Sequence, residues 1–303
     1  MLRKFIQLLK ILRIDFVVLA FIPFLFGYCI DYPKIKNFDY IDILLSLSAI
    51  FCFYLSFILF NESFDRRPER EWEKAKFFNS SIGDICDDHH LFSLRFYFAV
   101  ATILAFFGVI GILILNLRLN RDFTHIWLIV IMFLAWAYQI VPPKINLSIL
   151  SEFILLIFLG PILVLTGYFI KTGIIFSRKV FLLSLPFGFS ILFPLICKKV
   201  TDYKRGGCLD TWHLLSVAIR KKAFYLYLFL TGILFLSLLV IYYFRLVQSY
   251  IFLGLIILFF IGVRIALILK NNHDNLKQLN KAFRLSIVQH YLLSAVMFIA
   301  ILL

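Results

Sequence analysis

Charge is what this chain has least of. Asp, Glu, Lys and Arg make up 16% of its 303 residues, against 62% hydrophobic residues. That is too little polar surface for a soluble domain. The scarcity also changes the meaning of the +14 net charge. It excludes a nucleic-acid partner, because in a chain of membrane spans basic residues mark the loops kept on the cytoplasmic side. The five cysteines have no CxxC or other ligand spacing, so neither a disulfide frame nor a thiolate metal site is indicated. Low-complexity tracts and soluble linkers are missing, which leaves one polytopic domain over 1–303. No small-x-small cleavage site follows the first apolar run at Gly27-Tyr28-Cys29-Ile30-Asp31, so that run is expected to be retained. Nor do the apolar runs alternate with polar residues as barrel strands must. Helix is the remaining way to satisfy the backbone in lipid.

Nine apolar runs are present, at about 14–31, 42–60, 93–116, 124–141, 149–170, 179–197, 223–243, 248–270 and 285–303. Each is near the length that crosses ~30 Å of hydrocarbon. With the N-terminus placed inside, the inside segments carry 21 Lys and Arg and the outside segments 8. A wrong count would scramble this alternation. The expected architecture is an all-α integral membrane protein with nine transmembrane helices around a central cavity, N-terminus cytoplasmic and C-terminus outside.

Two polar centres then share the cytoplasmic face. Asn61 and Asp65 follow the second run, one helical turn apart, with Arg66, Arg67, Arg70, Lys74 and Lys76 just beyond. Asn61, Asp65 and Glu69 at i, i+4 and i+8 would suit a hard cation such as Mg²⁺. Pro68 is expected to end the helix near Arg67, leaving Glu69 in a loop. The second centre holds Lys198, Lys199, Asp202, Lys204, Arg205 and, eight residues after Asp202, Asp210, with Gly206-Gly207 between. Cations beside carboxylates at a membrane surface fit a diphosphate held partly by metal. Tyr138-Gln139-Ile140-Val141-Pro142-Pro143-Lys144 closes the fourth run, its double proline forcing a return. Of the charges inside spans, Glu152 and Arg264 are expected to face protein or a wet cavity, because lipid exposure of a charge is costly.

These residues resemble a known family. Asn61-Glu62-Ser63-Phe64-Asp65 is similar to the N-D-x-x-D signature of UbiA-type membrane prenyltransferases, and Tyr138 with Pro142-Pro143 resembles their Y-S-x-P-P motif. The stretch from Glu152 to Gly173, with Phe158-Leu159-Gly160-Pro161 and Thr166-Gly167-Tyr168, resembles the branch that prenylates 1,4-dihydroxy-2-naphthoate for menaquinone synthesis. Leu185-Pro186-Phe187-Gly188 keeps that branch's spacing to Asp202. Glu62 stands in place of the first aspartate, Lys198-Lys199 in place of asparagines, and Gly206 where a second aspartate is expected.

The resemblance implies transfer of a polyprenyl group from its diphosphate to an aromatic acceptor. Asn61, Asp65 and Asp202 would be catalytic metal-binding residues, with Glu69 and Asp210 as further Mg²⁺ ligands. Arg13, Arg66, Tyr138, Lys144, Lys199 and Lys204 would bind substrate. The partners would be polyprenyl diphosphate, the aromatic acceptor and membrane lipid, in a bacterial cell membrane. Open alternatives are another acceptor (4-hydroxybenzoate or a porphyrin) and a non-catalytic lipid-binding relative.

Overall fold

The computed structural model describes residues 14–31, 39–76, 94–119, 156–204, 223–249, 251–271 and 275–302. All regular structure in them is helical: α1 (Ile14–Cys29), α2 (Tyr40–Lys76), α3 (Leu94–Leu119), a π-helical turn (Phe158–Ile162) running into α4 (Leu163–Thr172), α5 (Arg178–Lys204), α6 (Ala223–Tyr243), α7 (Ile251–Asn271) and α8 (Leu276–Leu302). Six helices are long and apolar enough to cross a membrane, and shorter apolar helices lie at Val18–Cys29 and Phe158–Thr172. Eight of the nine expected runs therefore coincide with described helix; the run at 124–141 lies outside the described residues. The expected break at Pro68 does not occur, because α2 continues to Lys76. A proline removes one backbone hydrogen bond and strains the preceding turn, a cost of about 3 kcal/mol rather than a prohibition.

The chain divides into two compact units. In the first, α2 packs along α3. Asp39 caps α2, its carboxylate accepting from the Ile41 and Asp42 backbone N–H groups at 3.0 and 3.4 Å, which satisfies donors that a helix start leaves open. Arg118 at the end of α3 donates to Asp42 at 2.9 Å and Asp39 at 3.1 Å. At the other end of the pair, Leu59, Phe60, Tyr97 and Ala101 form a small buried core.

The second unit is built around α5, which packs against the π turn, α4, α6 and α8, while α7 packs on α6 and α8. Its α1–α4 crossing is unusually close. A methyl group at Gly27 would overlap the Val164 carbonyl, and one at Gly167 would overlap the Phe24 carbonyl. Small residues let backbones touch where lipid gives apolar side chains no reason to associate. Gly160 meets Gly188 in the same way, joining the π turn to α5. Gly173 then ends α4 at φ 80°, its N–H bonded to the Phe169 carbonyl at 2.7 Å, as a left-handed cap requires.

Contacts at the helix ends agree with the loop alternation inside each unit. Lys179 pairs with Asp31 at 3.1 Å and the Tyr168 hydroxyl donates to the same carboxylate at 3.3 Å. Arg178 lies over the Phe244 ring. These residues all belong to ends assigned to the outside. Lys270 lies over Phe224, and both belong to ends assigned to the inside.

Candidate functional site

Both acidic centres begin one residue past a buried anchor. Phe60 is 1% exposed and packs edge-on against Phe98, and Asn61 follows it on the same unbroken helix. Asn61, Asp65, Arg66 and Glu69 therefore lie on successive turns of α2, beyond its apolar run. On α5, Cys197 and Val200 are buried in the main core of the second unit. Thr201 is buried too, its hydroxyl donating to the Cys197 carbonyl at 2.8 Å. Asp202 comes next, with Lys199 and Lys204 in the same last turns. Placement on the backbone is what the structure gives for these seven residues. Arg13, Tyr138, Lys144, Glu152 and Asp210 lie outside the described residues.

The position of Asp202 carries an electrostatic consequence. A helix C-terminus bears about half a negative charge, so it favours Lys and Arg and penalises a carboxylate. Lys198, Lys199 and Lys204 match that field, and Asp202 opposes it. A cation beside an acidic side chain in the last turn of a helix offsets this penalty, which is about 0.3–1 kcal/mol. A divalent metal or the neighbouring ammonium groups would supply that charge. Asp65 has no such penalty, since α2 runs on for eleven residues.

The second unit also contains a buried polar cluster that sequence reading missed. The Ser190 hydroxyl lies 2.7 Å from His290 Nδ1 and donates to the Phe187 carbonyl at 2.9 Å. The direction of the Ser190–His290 bond follows the imidazole tautomer. One residue earlier on α8, Gln289 Oε1 accepts from the Tyr227 hydroxyl at 2.5 Å. His290 Nε2 and Gln289 Nε2 have no hydrogen-bond partner among the described residues. The pairs tie α8 to α5 and to α6. The only signal in the sequence was Gln289-His290 within an apolar run, and the partners stand 62 and 100 positions away. Among the described residues no three His, Cys, Asp or Glu side chains gather as a metal site.

Of the two surroundings expected for Arg264, protein or a wet cavity, the first is not found: it is exposed on α7. It sits seven residues from the helix end, where a long side chain can bury its stem and carry its head to the interface.

This arrangement is that of a multi-pass integral membrane protein. A solved structure described as a membrane digeranylgeranylglyceryl phosphate synthase matches it with a TM-score of 0.61 at 18% identity, over 99% of this chain and 99% of that one. No protein-family model matches the sequence, and no curated protein does.

Proposed function

We propose that this chain is an intramembrane prenyltransferase that moves a polyprenyl group from its diphosphate to an acceptor, with Mg²⁺ as cofactor. The observation that carries the reading is the end-to-end match to a prenyl-lipid synthase fold, in a chain whose Asn61, Asp65 and Asp202 fall where helices α2 and α5 leave their buried anchors. In this reading both centres take part in the reaction. Asn61, Asp65 and Asp202 hold metal, with Glu69 and Asp210 as further ligands. Bound Mg²⁺ supplies Lewis-acid stabilisation of the departing diphosphate. Arg66, Lys199 and Lys204 neutralise the diphosphate oxygens, and Arg13, Tyr138 and Lys144 bind substrate. The prenyl tail lies among apolar spans.

For the acceptor we favour 1,4-dihydroxy-2-naphthoate, on the likeness of residues 152–173 to that branch. A second reading is a glyceryl phosphate lipid acceptor, favoured by the name of the matching structure. Gly160, Gly167 and Gly188 support the fold rather than either acceptor, because their close helix contacts explain them. The deciding experiment incubates membranes holding the protein with labelled polyprenyl diphosphate, Mg²⁺ and both acceptors, and identifies products by mass spectrometry. A prenylated naphthoquinol selects the first reading and an ether lipid the second. Diphosphate retained without turnover on any acceptor overturns the enzyme.

A further inference from the structure

Helices α7 and α8 form a hairpin whose exposed faces the transfer reaction does not use. A methyl group at Gly254 would overlap the Val296 side chain, and one at Gly262 would lie 3.3 Å from Gln289 Nε2. The helices thus run antiparallel with these pairs facing. Arg264 lies two residues from Gly262 toward the hairpin turn, and Arg284 five residues from Gln289 toward the same turn. At about 1.5 Å per residue their backbones differ in depth by about 5 Å. Arg264 and Arg284 are both exposed, as are Lys270, Lys277 and Lys281.

The surroundings of Arg264 are not those of an aqueous loop. Along its own stripe, Ile257, Phe260 and Leu267 are 56%, 67% and 48% exposed, a face that hydrocarbon covers in a membrane. On α8 the stripe Lys277, Lys281, Arg284 continues into exposed Val288. Among the described residues none of the five cations is in an ion pair. The only acidic residue from 251 to 303 is Asp274. The start of α8 adds the partial positive charge of a helix N-terminus. Among the described residues no counter-charge meets these cations, which step from the surface down to an apolar face, and an anion that reaches both levels is a lipid headgroup.

We propose that the α7–α8 hairpin binds the phosphate of an anionic phospholipid. Arg264 and Arg284 take it from the hydrocarbon side through guanidinium hydrogen bonds. Lys281 and, further out, Lys277 add positive charge on the water side, and an acyl chain lies along Phe260 and Val288. A soluble anion would have no use for the deep apolar half of this face.

The test is native mass spectrometry of the full chain, released from micelles containing equal phosphatidylglycerol and phosphatidylcholine. The wild-type protein should retain phosphatidylglycerol preferentially. Each basic residue near a membrane surface is worth about fivefold in lipid affinity, so Arg264→Gln should cut the preference by about that factor and Arg264→Gln with Arg284→Gln by about 25-fold. Lys277→Gln with Lys281→Gln, a milder pair, should lower it in the same sense. Arg245→Gln, exposed at the other end of the unit, should leave it unchanged, and excess inorganic phosphate should not displace the lipid. An undiminished preference in both double variants overturns the site, as does an equal loss with Arg245→Gln or displacement by phosphate. Prenyl transfer plays no part in the readout.

Discussion

The two acidic centres stand on unequal supports. The apolar span of α2, from Tyr40 to Phe60, is 39% buried, whereas that of α5, from Arg178 to Lys198, is 67% buried. Among the described residues α2 packs on α3, and α5 is the hub of its unit. The Asn61–Asp65 centre thus sits at the end of the span with the smaller share of buried residues, and Asp202 at the end of the one with the larger.

The comparison breaks first at the carboxylates. Asp65→Ala and Asp202→Ala should each lower Mg²⁺-dependent transfer by about 100-fold or more, with insertion unchanged, as read by product mass spectrometry and membrane yield. Near-normal turnover with Asp202→Ala would mean that α2 alone does the chemistry. Next come the anchors. Phe60→Ala should cost about 3 kcal/mol or more through lost packing and lower activity with it. Thr201→Val, which removes one hydrogen bond, should cost about 1 kcal/mol; both are read from thermal unfolding in detergent. Among the glycines the sign should reverse. Gly27→Ala meets the Val164 carbonyl and should destabilise by about 1–3 kcal/mol. Gly232→Ala, with nothing near its added methyl, should stabilise by up to about 1 kcal/mol. The smallest effect is at the helix ends: Asp42→Asn weakens the pairing to part-exposed Arg118, which solvent screens, and should shift unfolding less than Thr201→Val does.

Helix positions are legible in the sequence because span length and loop charge are local quantities. Tyr40–Phe60, Arg178–Lys198 and Ala223–Tyr243 fall within a few residues of the apolar runs. Pro68 misleads because the rule against proline expresses an energetic cost, and a long helix such as α2 absorbs it. Arg264 misleads because its exposure depends on depth along the helix together with distance from the helix end. The Ser190–His290 and Tyr227–Gln289 pairs are illegible for another reason. Each joins positions on different helices, and no periodicity within one helix announces a partner on another. The carboxylates are legible as letters, since an oxygen pair at a membrane surface is unusual by itself. Their grouping depends on how helices meet, which local patterns do not encode.

The close crossing of α1 and α4 limits how this protein can admit anything from the bilayer. At Gly27 and Gly167 main chain rests on main chain, so there is no side chain there to swing aside and no rotamer to change. Those two helices must travel as a single plank. A fatty substrate entering sideways would have to part some other seam.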